Sequence, residues 1–533
     1  MPHASDRHVG AFGDNGAWVV DPGSMGWRDG SEQRRAAARA SVPALIQRHR
    51  VPPGRAVVVA LRLAKATAPW LLRHRRNRNS PAAQTELAGI LRPTFESLGT
   101  TFIKLGQLIA SADGMLPQVW VDEFKLCRDR VPAETFAHVR EVIEQDLGRP
   151  LEQLFAEFDQ VPLAAASIAQ VHAARLHSGD EVVVKVMRPH IDRIVPRDIA
   201  TLAWLAPIIE RRAPNASVAN LPAYVELFAE TIVEELDFRL EAENMLDVAR
   251  VLAATDQRSV IVPRPHQELV SRRVLVMERL HGFSVDDEAG MADAGVDPSP
   301  VFRALFISFL EGAMIHGVFH GDLHGGNMIV TGSGTPGLLD FGITGRFDVG
   351  KRQALLALMM SAASQDASAM LTAFRDLGGF PPDADIESIN AELGIQALMT
   401  LSPAEVSPED IALQMRETMN RLVAHGAKLP KEMYLYLKGM VYLNGSISTL
   451  AADVDMFSEM VHVYEFFTTQ HSDAMLDSGI DMETMPEPEA IADLMRQQHG
   501  VSAETFTLRE MQVAQAQRAE ELRGAIKASA GEG

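Results

Sequence analysis

The sequence predicts an α+β fold in two lobes, a small sheet-bearing lobe followed by a larger helical one, with a helical extension ahead of both. Three observations carry this. After a long helical pattern the texture changes at VPLAAASIAQVHAARLHSGDEVVVKVMRP (161–189), a β-rich stretch folded by tight turns. Strand character returns at VSRRVLVMERLHG (270–282), after helical stretches ending near Arg212 and running from Leu221 to about Ala254. At 533 residues the chain is also too long for one ordinary core.

In chain order, residues 1–30 are rich in Gly and Asp and are expected to be disordered. Residues 31–160 form the helical extension, with TFIKLGQLIAS (101–111) at its centre and a Leu-Pro break at 116–117. Within it, RAVVVALRLAKATAPWLLRHRRNRN (55–79) mixes apolar and basic residues and is interrupted by Pro69. Two readings stay open for this segment: a helix packed on the body, or an interfacial anchor on an anionic membrane. Residues 161–282 are assigned to the small lobe and 283–465 to the larger one. VFRALFISFLEGAMIHGVF (301–319) carries Arg303 and Glu311 and reads as a buried amphipathic helix rather than a membrane span. Residues 466–533 are an acidic, polar tail, helical in its last third.

The net charge of −20 argues against nucleic acid as the partner of the whole chain. It is unevenly spread: residues 1–80 hold 14 Lys/Arg against 5 Asp/Glu, a net of +9, which leaves −29 for the remaining 453. A single cysteine, Cys127, excludes an internal disulfide and any multi-cysteine metal site. The opening MPHASDRHVGAFGDNG has no apolar run of a secretory signal. The expectation is a cytoplasmic protein without a transmembrane helix, with peripheral membrane contact through 55–79.

HGDLHGGNMIV (320–330) concentrates the chemistry. His320, Asp322 and His324 alternate as metal ligands sometimes do, but the spacing from Asp322 to Asn327 suits a kinase catalytic loop, an Asp beside the attacking hydroxyl and an Asn on Mg²⁺. The metal-only reading explains neither Lys185, one lysine among the valines of EVVVKV, nor Asp340 in GLLDFG (337–342). A strand lysine usually faces solvent; buried, this one needs counter-charge. A hairpin over 328–338 would bring Asn327 and Asp340 to one hard cation such as Mg²⁺. His320 then braces the loop backbone, His324 stands to one side, and Gly321, Gly325 and Gly326 permit the bends. The lobes are accordingly expected to be protein-kinase-like.

From about 86 to 460 the chain resembles the UbiB/AarF/ADCK family of atypical protein-kinase-like proteins. Four stretches carry the likeness: KLGQ (104–107), AAASIAQVH (164–172), ELD (235–237) and HGDLHGGN (320–327). The resemblance implies ATP or ADP with Mg²⁺ as ligands. Lys185 would meet phosphates, with Glu241 its helix partner, and Asp322, Asn327 and Asp340 would be the catalytic and metal set. Ala164, Ala165, Ala166 and Ser167 would replace a glycine-rich phosphate loop, and backbone near Met277, Glu278 and Leu280 would hold adenine. The β-carbons of those alanines bar the conformations glycines use, so the phosphates should be held differently from those in ordinary kinases. Lys104 and Gln107 share a helix face, while Glu235 and Asp237, two apart on a helix, do not. Solvated surface is the default for both runs. Their opposite charges motivate the expectation that Lys104 lies near Glu235 and Asp237 as a regulatory contact.

Only ITGRF separates Gly342 from the helix cap Asp348, and no A-P-E follows, so the segment that seats a peptide in protein kinases has no counterpart. The reading is an atypical kinase-like protein with Mg-dependent ATPase or small-molecule or lipid kinase activity, serving isoprenoid-quinone or lipid metabolism, with a lipid or quinone precursor as further ligand. Two alternatives stay open: an aminoglycoside- or choline-kinase-like phosphotransferase, and a non-catalytic nucleotide-sensing scaffold.

Overall fold

The computed structural model describes residues 18–47, 53–78, 80–111, 118–127, 131–212, 220–254, 259–364, 366–395, 421–450 and 456–473, with a few isolated positions besides. The chain divides into two compact units. One holds residues 1–253, 261–280 and 339–343; the other holds 254–260, 281–338 and 344–533.

In the first unit the helices are α1 (Ser31–Ile46), α2 (Pro53–Arg73), α3 (Pro81–Leu98), α4 (Thr100–Ala110), α5 (Gln118–Lys125), α6 (Phe136–Leu147), α7 (Leu151–Leu154), α8 (Ile191–Arg212), α9 (Leu221–Ile232) and α10 (Phe238–Ala254). The strands are β1 (Phe155–Phe158), β2 (Ala164–Ala165), β3 (Ala169–Leu176), β4 (Glu181–Met187), β5 (Pro265–Val270) and β6 (Val274–Glu278). They form an antiparallel sheet in the order β1-β3-β4-β6-β5, with β2 beside β3. Alternation in β4 decides its two faces. Val182, Val184 and Val186 join Val139, Val142 and Ile143 of α6 in one core, which leaves Lys185 on the opposite face.

The extension and the sheet belong to one unit rather than to the separate domains expected at 31–160 and 161–282. Arg55 of α2 explains part of this, since its guanidinium reaches Asp198 of α8 and the Leu98 carbonyl. Residues 18–30, expected to be disordered, are held by two tryptophans: Trp18 and Trp27 donate their indole N–H groups to the carbonyls of Pro265 and His266, at 3.1 and 3.2 Å. Glycine and aspartate dominate the composition there, yet two aromatic anchors suffice to seat the segment along β5. From it, α1 sends Arg35 to Asn244 and Arg39 to Glu234, while Arg28 forks onto Glu243.

In the second unit, β7 (Phe283–Ser284), β9 (Met328–Val330) and β10 (Pro336–Leu338) pair as β10-β9-β7, and β8 (Val318–His320) pairs with β11 (Thr344–Arg346). The expected hairpin over 328–338 is therefore present. Helices α11 (Glu288–Ala294), α12 (Pro298–Glu311), α13 (Val349–Ala363), α14 (Ala367–Asp376), α15 (Ile386–Leu393), α16 (Lys431–Leu450) and α17 (Met456–Gln470) complete it. The buried helix expected over 301–319 is α12 only as far as Glu311; a π-turn follows over Gly312–His316, and 318–319 belong to β8. Arg303 forks onto Glu459 of α17, and Glu311 meets His471 at 2.6 Å. Most of the tail expected at 466–533 lies outside the described residues. Among the described residues no helix is long and apolar enough to cross a membrane.

Gly106, in the middle of α4, has a packing reason. A β-carbon there would stand 3.0 Å from Phe124 of α5 and 3.1 Å from the Cys127 sulfur. Gly106→Val is expected to overpack this contact at a cost of about 1–3 kcal/mol. Gly89→Ala in α3, where the nearest atom would be 3.9 Å away, should leave stability unchanged or slightly raised. Thermal unfolding followed by circular dichroism compares them, and equal midpoints would remove the packing argument.

Candidate active site

In the first unit the sheet, α10 and the returning segment 339–343 converge on Lys185. Its ammonium lies 2.7 Å from Glu241 Oε1 and 2.9 Å from Asp340 Oδ1, and 5.5 Å from the Phe238 ring. Lys104 of α4 pairs with Glu235 at 3.0 Å. Three carboxylates thus face two ammonium groups. Lys185 and Glu241 are buried, whereas the Asp340 side chain is 45% exposed and forms the wet edge of the cluster.

Burial pushes the Glu241 carboxyl up to about 7; Asp340 and Glu235 add to this and Lys185 opposes it. Glu235 is raised as well, by burial against the pull of Lys104. Burial disfavours the Lys185 ammonium, but Asp340 and Glu241 outweigh it and keep the lysine charged. For Asp340 the loss of water pulls upward and Lys185 with Lys104 prevails, holding it well below the usual carboxylate range. Its remaining exposure limits the share of burial. Asp340 also takes φ 52°, a left-handed conformation unusual for a residue with a side chain. Two contacts hold it there: Gly342 donates its N–H to Asp340 Oδ1 at 3.2 Å, and Asn244 donates from Nδ2 to the Phe341 carbonyl at 2.8 Å.

The expectation for the ELD stretch needs correction. Glu235 lies in a 3-10 turn (Glu234–Leu236), and Asp237 is extended at φ −143°, so the two are not on a continuous helix. Glu235 takes Lys104, while Asp237 is clasped by Arg239 at 2.6 and 2.9 Å at the start of α10. Gln107 sits on α4 beyond Lys104, half-buried, its carbonyl accepting from Ser111.

Ala164 and Ala165 form β2, and Ala166 donates to the Ala169 carbonyl at 2.8 Å, so the alanine stretch is a tight β-turn. Arg188, which the sequence reading missed, anchors it by donating to the Ala166 carbonyl and to Glu134, each at 3.0 Å. Ser167 is buried beneath the turn. Met277 is buried in β6. The Glu278 and Arg279 amides already donate to the Arg264 and Glu181 carbonyls at 2.8 and 3.3 Å. Both amides are therefore already engaged within the protein.

In the second unit the 320 loop is internally tied. His320 Nδ1 accepts from the Asp322 amide at 3.1 Å, bracing the backbone as expected. Asn327 donates from Nδ2 to the Asp322 carbonyl at 3.0 Å, which turns its Oδ1 to the other side. His324 accepts from the Gly326 amide at 3.1 Å, and its Nε2 stands 4.0 Å from Asp322. Gly325 serves close approach, not the sharp bend expected: a β-carbon there would overlap Asp286 Oδ2. Lys438 of α16 lies 2.8 Å from Asp322 Oδ1, and the sequence reading had not singled it out.

Residues 126–374 match the ABC1 atypical kinase-like domain. An uncharacterized protein of Mycobacterium tuberculosis is 35% identical over 378 residues, 69% of this chain and 76% of that one. An uncharacterized chloroplastic aarF domain-containing protein kinase of Arabidopsis thaliana is 32% identical, covering 69% of this chain and 73% of that one. A probable protein kinase UbiB of Tolumonas auensis is 30% identical, covering 74% and 72%.

The charge excess at Lys185 has a pH signature. Glu241 holds a proton in the folded chain up to about 7, against 4.5 for an ordinary glutamate, so folding stability falls as pH rises through that window. Asp340 acts oppositely: its depressed value supports the fold above the ordinary aspartate range, and that support is lost only as acid protonates it. Glu241→Gln keeps an acceptor for Lys185 and removes the titration. Its urea midpoint should change less between about pH 5 and about pH 7.5 than that of the unaltered chain. Identical slopes would place the extra proton elsewhere.

Proposed function

Because the chain belongs to the ABC1 atypical kinase-like family, we propose that it binds an adenine nucleotide with Mg²⁺ and turns it over, as an ATPase or a small-molecule or lipid kinase serving isoprenoid-quinone or lipid metabolism. The observation that carries this is the buried Lys185–Glu241 pair with half-exposed Asp340 against it. A lysine so held presents a fixed positive charge for phosphate, and Glu241 keeps it on station. Asp340 in the first unit and Asn327 Oδ1 in the second are hard oxygen donors of the kind Mg²⁺ takes alongside phosphate. Bound Mg²⁺ supplies neutralisation of phosphate charge. Asp322 is assigned to the acceptor hydroxyl or water.

A small acceptor is favoured over a peptide by the start of β11 at Thr344, two residues past Gly342, already paired with β8. The aminoglycoside-like alternative is less favoured, since the Lys104–Glu235 contact joins two signatures that belong to the UbiB likeness.

Titration of ATP with and without Mg²⁺ tests the reading. Asp340→Asn should weaken Mg-dependent binding by about tenfold or more while circular dichroism is unchanged. Equal affinity in the two proteins would sink the assignment. ATP turnover with and without a lipid or quinone-like extract then separates the activities.

Location belongs to the same proposal. On α2 the outward residues include Val57, Val58, Leu61 and Leu72, 55, 42, 64 and 78% exposed, flanked by exposed Lys65, Arg75, Arg76 and Arg78. Val59 and Trp70 turn inward instead, while Arg55, Arg62 and Arg73 are engaged by Asp198, the Ser97 carbonyl and Glu86. The remaining face suits peripheral contact with an anionic bilayer, at about 1 kcal/mol per nearby basic residue. The full chain should co-sediment with anionic vesicles, less so as salt rises, and a Leu61→Glu, Leu72→Glu variant should stay in solution. Equal pelleting of both, or of neither, contradicts a membrane role for α2.

A further inference from the structure

HGDLHGGN contains no lysine or arginine, although phosphoryl transfer gathers negative charge wherever it proceeds. In the second unit a cation arrives from far along the chain. α16 places the Lys438 ammonium 2.8 Å from Asp322 Oδ1, with only 8% of that lysine side chain exposed.

The helix is seated by contacts that have nothing to do with this pair. Tyr436 stacks on Phe309 and packs edge-on to Phe319, with ring centroids 5.6 and 6.1 Å apart, and Tyr434 and Leu435 are wholly buried. Gly439, next to Lys438, lies so close to Phe309 that a β-carbon would stand 2.6 Å from its ring. A glycine at that place lets α16 press inward and carry the lysine to Asp322. One turn further on, the Tyr442 ring lies 5.6 Å from the Lys438 ammonium and edge-on to His324, centroids 6.0 Å apart. Lys438 and His324 therefore flank the Asp322 carboxylate, and Tyr442 bridges the two of them. An apolar residue would fill a buried helix position at less cost than a lysine, so the charge calls for a reason beyond packing.

We propose that Lys438 is a positioning residue for phosphoryl transfer: it holds Asp322 in place through Oδ1 and leaves Oδ2 to orient the acceptor. This rests on the nucleotide-turnover reading above. In the step, the acceptor oxygen's lone pair forms the new bond to the γ-phosphorus. The bond from that phosphorus to the bridging oxygen breaks, and its electron pair leaves on the nucleoside diphosphate. The acceptor proton passes to Asp322. Held by the ammonium, Asp322 orients the acceptor before transfer and takes the proton late. Beside Asp322 stand Lys438 from α16 and His320 and His324 from its own loop, with the Tyr442 ring against the lysine. Burial opposes the charge on Lys438, and Asp322 more than offsets this and holds the lysine protonated.

Lys438→Met and Lys438→Arg in the full chain test the idea, alongside Asp322→Asn and the unaltered protein. Nucleotide affinity, kcat against pH and the thermal midpoint are read for each. Lys438→Met should bind Mg-nucleotide within about twofold of the unaltered chain and lose about 100-fold in kcat. Lys438→Arg, which keeps a cation at the same place, should restore much of kcat. A fall in kcat that tracks a lowered thermal midpoint, or one that Lys438→Arg leaves unrelieved at an unchanged midpoint, would leave Lys438 a structural residue and overturn the proposal. If the unaltered protein binds nucleotide but does not turn it over, the turnover reading fails and the proposal with it.

Discussion

The first unit is organised around one charge contact, buried Lys185 with buried Glu241 and half-exposed Asp340. A lysine on the inner face of β4 is tolerable only if counter-charge meets it, and losing one partner of such a pair costs about 3–5 kcal/mol. That requirement fixes three otherwise independent pieces: the register of β4 between β3 and β6, the approach of α10, and the backbone of 339–343. The left-handed Asp340 follows from it, since the carboxylate reaches the ammonium while Asn244 holds the next carbonyl. Lys104 and Glu235 extend the same balance outward without neutralising it.

What was legible in the sequence is what depends on short spacing. The sheet was readable because the β-rich runs around EVVVKV are bounded by tight turns, and the 320 loop because Asp322, Asn327 and the hairpin to Asp340 keep fixed intervals. The ELD stretch was misread because no glycine or proline announces the change from a 3-10 turn to an extended residue at Asp237. Lys104 reaches Glu235 from far along the chain, while Arg239, two residues on, clasps Asp237 locally. Gly325 shows the same limit. Its glycine answers to Asp286, a neighbour brought close by the fold and invisible to local bending rules.

Lys438 and Arg188 escaped the sequence reading for a related reason. Each acts on a loop distant in the chain, and a lone lysine in a helix or arginine at a strand end has no periodic signature. A physical cue was available only for Lys438: it falls within KEMYLYLKGMVYL, where apolar neighbours make a solvated face hard to draw. Composition misled at residues 18–30, where two indoles outweigh the glycines and aspartates around them.

The N-terminal strap carries a consequence for what counts as the kinase-like module. Arg28, Arg35 and Arg39 reach Glu243, Asn244 and Glu234, residues interleaved with Glu235 and Glu241. Glu234 and Glu243 are themselves buried. The span matched by the family domain begins at 126, so a fragment cut to those limits would keep both acids and discard their arginines. The boundary drawn by sequence likeness and the boundary drawn by charge balance therefore differ. By the second measure, the kinase-like body extends well upstream, to the tryptophans.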